Sequence, residues 1–235
     1  MGRYPPGLMR SFRLRLAGIA GAALLVTALG TSASAGTGTI AQEVMRSSQL
    51  EKRLVHIWWL PVEYWIDAAR ELRKSADDID DVRKLFRNYL VIAILDAELK
   101  DDGSFEPATH SQIGPELEVR RNGDPIELLH RIDPRVARWT GELSYLLRTS
   151  LGPLGPGLRI FFLSNVDDGG RPLLQGGSRG TLEIRYTRAA DASHPLRYRW
   201  HAPLTAVAGA HTCPEGGEPL DASWLYCPWH GVRVD

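Results

Sequence analysis

The hydrophobic positions of this chain fall into two rhythms, one helical and one extended, that change every ten to twenty residues. LVHIWWLP, residues 54–61, is dense in β-branched and aromatic side chains and closes on proline, which predicts a strand. Pro61 stands where a helix can begin. The segment after it repeats apolar residues at Val62, Trp65, Ile66, Ala69 and Leu72, the spacing of one helical face. A second amphipathic stretch, Ile79 to Tyr89, carries Val82, Leu85 and Phe86, with Asp77, Asp78, Asp80 and Asp81 crowded at its start, where a helix dipole favours negative charge. LVIAILDAEL, residues 90–99, is an unbroken apolar run that ends in charge, the mark of a central strand buried on both faces.

Beyond a KDDGS turn, Asn122-Gly123 lies between two alternating runs and predicts a hairpin. Residues 133–150 read as a helix with Asp133 as N-cap and Pro134 at its first position, stopped by LGPLGPG. GLRIFFLSNV, TLEIRYTR and PLRYRWHAPL are strands, the first two joined through the Gly-rich stretch 166–180. The segment before the first strand, residues 36–53, reads as a linker or a short helix. The expected architecture is α+β over residues 54–205, with about three helices on one face of a mainly antiparallel sheet, followed by a small tail at 206–235.

The N-terminus alters where this domain is expected to reside. Arg10, Arg13 and Arg15 precede an apolar run, Leu16 to Leu29, and Ala33-Ser34-Ala35 follows it. This is the pattern of a secretory signal peptide over residues 1–35, cleaved before Gly36. The run is shorter than the roughly 20 residues of a membrane span, although an uncleaved anchor is the alternative. The expected location is exported, periplasmic or secreted, with no transmembrane segment after cleavage. Removal of residues 1–35 takes away four arginines and no acid, leaving 24 basic against 28 acidic side chains. Such a surface carries no electrostatic footprint for nucleic acid.

The chemistry-bearing residues concentrate in the tail. Residues 211–231 read HTCPEGGEPLDASWLYCPWHG and hold both cysteines of the chain, each opening a Cys-Pro-x-x-Gly turn. CPEGG at Cys213 and CPWHG at Cys227 resemble the two knuckles of a zinc ribbon, in which each knuckle reads Cys-Pro-x-Cys-Gly. Pro214, Gly217, Pro228 and Gly231 stand in the corresponding places, and Leu220, Trp224 and Tyr226 resemble the spacer of short ribbons. The resemblance covers only the last twenty-odd residues. Carried over position by position, it implies Cys213, Cys227 and His230 as metal ligands, while Gly216 holds a ligand position and cannot bind. A structural zinc needs four ligands. His211 is the nearest candidate for the fourth, and Glu215 a poorer one.

The resemblance also places the leading cysteines side by side, so in an oxidising compartment a Cys213–Cys227 disulfide is the competing reading. It would close a loop of about 15 residues, worth roughly 3 kcal/mol in the chain-entropy account. The cofactor expected is therefore either none or one structural zinc.

Other candidates are weaker. Asp96 and Glu98 fall on one strand face with Asp102 in the following turn, and Asp167-Asp168-Gly169-Gly170 has turn chemistry rather than the spaced oxygens of a calcium loop. His56 shares a strand face with Leu54, Trp58 and Leu60, as a core or rim histidine would. No phosphate loop, dinucleotide fingerprint or H-E-x-x-H is present. Trp58, Trp59, Tyr64 and Trp65 cluster within eight residues, and Trp58 and Trp59 must face opposite ways on a strand. Either the tail covers this cluster, through Trp224 and Trp229, or it is exposed as a surface for a protein partner or ligand. The expected function is a non-enzymatic exported protein, a binding or envelope-associated module with a stapled C-terminal ribbon. The alternative is an exported hydrolase using Asp96, Glu98 and Asp167.

Overall fold

The apolar run at 90–99 forms the strand around which everything else is arranged. In a computed structural model, which describes residues 37–187 and 195–234, it is strand β3 (Tyr89–Leu99), buried without interruption from Leu90 to Ala97. The expected signal peptide lies outside the described residues. One side of β3 pairs with β2 (Arg53–Leu60). The other is shared by β7 (Arg159–Ser164), opposite its first half, and β4 (Phe105–Pro107), opposite its end. With β1 (Met45–Leu50) on the outside of β2, this makes a five-stranded antiparallel sheet.

The residues before β2 are more structured than a linker. Helix α1 (Thr37–Val44) buries Ile40 and Val44, one turn apart, and the chain then extends directly into the edge strand β1. Met45-Arg-Ser-Ser-Gln-Leu50 lacks a helical stripe, and pairing with β2 satisfies its backbone.

Register fixes what each face of the sheet carries. Val55, Ile57 and Trp59 share a face with Asp96, Ile94 and Ile92, their partners on β3. His56, Trp58 and Leu60 share the other with Leu95, Ala93 and Val91. The second face takes the helical layer of α2 (Val62–Glu71), α3 (Ala76–Phe86) and α5 (Pro134–Ser150), the three helices expected, with the one-turn α4 (His110–Ile113) between α3 and α5 in sequence. Ser75 caps α3 through a reciprocal capping box with Asp78, and Asp133 caps α5. Trp65 of α2 stacks on Phe86 of α3 at 4.5 Å and donates its Nε1–H to the Leu60 carbonyl.

The first face meets a second sheet, where a single sheet was expected. This four-stranded antiparallel sheet runs β6 (Asp124–Ile126), β5 (Leu117–Arg121), β8 (Gly180–Tyr186), β9 (Leu196–Ala202). The hairpin between β5 and β6 turns at Asn122 and Gly123, both with positive φ, as that dipeptide predicts. Strands β8 and β9 bury alternate residues, Leu182, Ile184 and Tyr186 against Tyr198, Trp200 and Ala202. Polar contacts join the sheets: Tyr186 Oη donates to Asp96 at 2.6 Å, Tyr198 Oη to Ser48 at 2.8 Å, and Trp200 Nε1–H to the Val44 carbonyl just before β1 at 2.8 Å. The layers are thus helices, sheet, sheet, and the class is α+β. None of the described helices is long and apolar enough to cross a membrane.

This layering removes the aromatic cluster from the surface. Trp58, Trp59, Tyr64 and Trp65 are all buried, each at most 2 % exposed. Of the two alternatives for this cluster, the exposed partner surface does not form. Nor does the tail supply the cover, since Trp224 and Trp229 are themselves exposed. Trp59 lies on the face that the second sheet meets, and Trp58 on the face that carries the helices.

His56 sits on the helix face, half-buried, its Nδ1 shut off from solvent without a hydrogen-bond partner. Burial pushes its pKa below the ordinary 6.5, because the charged ring is poorly solvated there. The fold therefore binds a proton at His56 less readily than the unfolded chain does. Its stabilising contribution is complete above the unfolded value and is lost as pH falls below about 6.5. A His56→Leu variant should flatten that part of the stability–pH curve, as read by denaturant midpoints between pH 5 and 7. A slope unchanged by the substitution would assign the effect to other groups.

Candidate metal centre

The tail folds by repeating one turn twice. At the first, the Cys213 N–H donates to the Glu218 carbonyl, and the Gly217 N–H to the Cys213 carbonyl, both at 2.9 Å. At the second, the Cys227 N–H donates to the Val232 carbonyl, and the Gly231 N–H to the Cys227 carbonyl, both at 2.8 Å. Gly217 and Gly231 close the turns at φ +74° and +68°, a region open to glycine at no steric cost. Position 213 thus corresponds to 227, 216 to 230, 217 to 231 and 218 to 232. A short ribbon, β10 (His211–Thr212) with β11 (Pro219–Leu220), brackets the first turn.

The two turns bring Cys213, Cys227 and His230 together. His230 Nδ1 lies 3.3 Å from the Cys213 sulfur and 3.5 Å from that of Cys227, and the three ligand atoms all lie within 4.8 Å of one another. The Gly216 N–H points at the Cys213 sulfur at 3.4 Å. Both cysteines are buried and unbonded, while His230 is exposed on its outer side. The hydrogen bond with Cys213 raises the pKa of His230, and the charges of Cys213, Glu218 and Glu215 add to this against the opposing effect of burial. The site is an electronegative pocket of two sulfurs and one imidazole nitrogen, compatible with a small metal or disulfide site and with one structural zinc.

His211, expected as the fourth ligand, is not in this set. The β10–β11 pairing aligns it with Leu220 instead. The group that does approach is one the sequence reading passed over. Glu218 Oε2 lies 3.9 Å from His230 Nδ1. The available signal was the internal repeat, which sets Glu218 opposite Val232, an acid where the other turn has an apolar residue.

Around the site the apolar support is thin. Cys213, Leu220, Cys227 and Val234, with Val232 against them, form a cluster separate from the main core. The tail is tied to the body where the Ala222 N–H donates to Thr205 Oγ1 at the start of α6 (Thr205–Ala208). Its outer surface is apolar and largely aromatic: Leu225, Tyr226 and Trp229 are 47 %, 59 % and 63 % exposed, and Trp224 meets Trp229 edge to face at 6.0 Å.

The candidate carboxylates are not gathered into one cleft. Asp96 is 1 % exposed and is engaged by Tyr186 and by Arg53 Nε at 3.2 Å. Glu98 pairs with Arg53 and Lys100 at the surface, and Asp102 accepts from Ser104 within its own turn. Asp167 accepts from Gly169 and Arg171. Because Tyr89 pairs with Ser164, Asp167 leaves the sheet beside the start of β3, and Asp96 lies seven residues further along, roughly 23 Å at ordinary strand rise. One further feature had no signal in the sequence. A cavity of about 760 Å³, walled by Leu117, Val119, Ile126, Leu128 and Phe161, opens between the two sheets, with His110 stacked on Phe161 at 4.2 Å. No protein-family model, curated protein or solved structure matches the chain.

Proposed function

We propose that this protein is an exported, non-enzymatic binding module whose C-terminal ribbon is stapled by one structural zinc ion and displays an aromatic surface to a partner. The observation that carries the reading is the position of His230 Nδ1 between the two sulfurs, at 3.3 and 3.5 Å. A tetrahedral zinc with Zn–S of about 2.3 Å and Zn–N of about 2.0–2.1 Å sets sulfur and nitrogen about 3.5 Å apart. A disulfide has no need of the imidazole. The metal would do for the tail what its small apolar cluster cannot, fixing two turns whose other face is Trp224, Leu225, Tyr226 and Trp229. The ligand-sized cavity between the sheets suits a binding role as well. Export rests on the pattern of residues 1–35. The hydrolase alternative finds no support in the arrangement of Asp96, Glu98 and Asp167.

The second reading, a Cys213–Cys227 disulfide, is favoured by the approach of the two sulfurs and by the oxidising compartment that export implies. Intact mass separates the two. The expected result is one zinc per chain under native conditions, lost on acidification, with both thiols free after denaturation. A denatured mass lower by two hydrogens and restored by reductant, with no native zinc, would replace the metal with the disulfide.

A further inference from the structure

The metal centre proposed above has three ligands in place and needs a fourth. We infer that Glu218 is that ligand, standing in for the side chain that Gly216 lacks. The inference rests on the zinc reading and goes beyond it in naming the complete donor set: Cys213, Glu218, Cys227 and His230.

The internal repeat says where the fourth donor belongs. His230 occupies the fourth position of the second turn, and its counterpart in the first turn is Gly216. The backbone of Gly216 is not what requires a glycine there, because its φ lies outside the left-handed region. What occupies the space is Glu218. A Cβ built on Gly216 would fall on the Glu218 carboxylate, nearer to both oxygens than any real contact allows. The carboxylate therefore fills the volume of the missing side chain, on the side from which a ligand at 216 would reach the metal.

Its other surroundings agree. Glu218 Oε2 is buried, has no hydrogen-bond partner, and points to within 3.9 Å of His230 Nδ1. A buried carboxylate oxygen left unpaired is costly unless a proton or a cation supplies its partner. The backbone holds the residue in place, since the Glu218 carbonyl accepts from the Cys213 N–H at 2.9 Å. A zinc-bound carboxylate oxygen and imidazole nitrogen lie about 3.3 Å apart in a tetrahedral site, and the Glu218 carboxylate, 3.9 Å from His230 but outside the 4.8 Å grouping of the other three ligand atoms, would swing inward to complete the coordination. Two thiolates, one carboxylate and one neutral imidazole form a closed set with no open position, as a structural site requires.

The test is zinc affinity of the full exported chain by competition with a chromophoric chelator. Wild type, Glu218→Gln, Glu215→Gln and the double variant Gly216→Cys/Glu218→Gln are compared, with near-ultraviolet circular dichroism reporting on the body of each. Glu218→Gln should weaken zinc by roughly tenfold or more, the scale on which even supporting groups of metal sites act. Glu215→Gln should leave affinity within about twofold, as an exposed bystander does. The double variant should recover at least wild-type affinity, because Gly216→Cys places a thiolate at the position the repeat assigns to a ligand. Wild type binding one zinc while Glu218→Gln binds it equally well would overturn the fourth-ligand inference and leave the metal centre standing. Failure of wild type to bind zinc after reduction would overturn both. A variant whose body signal is lost is replaced by Glu218→Asp, which should lower affinity less than Glu218→Gln, and an equal loss in the two would count against ligation.

Discussion

Substitution of Asp96 by alanine should cost about 3–5 kcal/mol of stability, among the largest effects of any single change in this chain. The carboxylate is 1 % exposed, accepts the Tyr186 hydroxyl at 2.6 Å across the two sheets, and pairs with Arg53 at 3.2 Å from the neighbouring strand. Its removal takes from Tyr186 the carboxylate that accepts its hydroxyl and from Arg53 one of its two carboxylates, Glu98 at 3.7 Å being the other, and the loss of a buried partner costs more than the pair contributes. Tyr186→Phe removes one hydrogen bond to a charged acceptor and should cost less, about 1.5–3 kcal/mol. The combined replacement Arg53→Met/Asp96→Leu/Tyr186→Phe should recover much of the loss, because it removes the polar groups together. Urea midpoints of these three variants decide the matter. If Asp96→Ala unfolds near the wild-type midpoint, the triad is not a junction between the sheets. The same series bears on the hydrolase reading, under which Asp96→Asn would abolish an activity without disturbing the fold.

The contrast between Asp96 and the elements around it shows what was legible in the sequence. Strand β3 was readable because an apolar run of that length has one stable position, the middle of a sheet. The helix starts were readable at Pro61, whose fixed φ leads into α2, and at Asp133, whose side chain caps α5. Asp96 was not, because an acid near the end of an apolar run has the same appearance whether it emerges into water or meets Tyr186, which is ninety residues away in sequence. The second sheet had a signal that went unused. A first sheet buried on both faces needs two covers, and the alternation of TLEIRYT and LRYRWHA supplies a strand pair with one apolar side. The cover of the aromatic cluster was illegible for the same reason, since Trp59 needs the tail above it only while one sheet is counted, and the second sheet covers it instead. In the tail, Cys213, Cys227 and His230 followed from the resemblance of the two Cys-Pro turns to zinc-ribbon knuckles. Glu218 did not, because its role depends on space left empty at Gly216 rather than on any motif of its own.

Metal removal should then unfold the tail while leaving the body intact. The tail's own cluster is four buried residues, Cys213, Leu220, Cys227 and Val234, too little to offset the ordering of some twenty residues at about 1–2 kcal/mol each. A structural zinc supplies apparent binding free energy of about 10–16 kcal/mol in small metal-dependent units, enough to decide whether such a segment folds. Cys227→Ser, or chelation of wild type under reducing conditions, should therefore release the amides of Cys213, Gly217, Cys227 and Gly231, whose hydrogen bonds define the two turns. Hydrogen exchange at these positions should accelerate by orders of magnitude, towards the rate of an unstructured chain. The amides of Ile92 and Ile94 in the central strand should keep their protection. Trp224 and Trp229, paired at 6.0 Å in the folded tail, should separate, and the fluorescence they contribute should shift to the red. The aromatic surface would disappear with them, so partner binding should follow zinc occupancy rather than the stability of the body. Turn amides that remain protected when wild type is chelated without reductant but are released once reductant is added would identify the disulfide as the staple. Protection that survives both treatments, and the Cys227→Ser substitution, would show that the ribbon is held by the body alone.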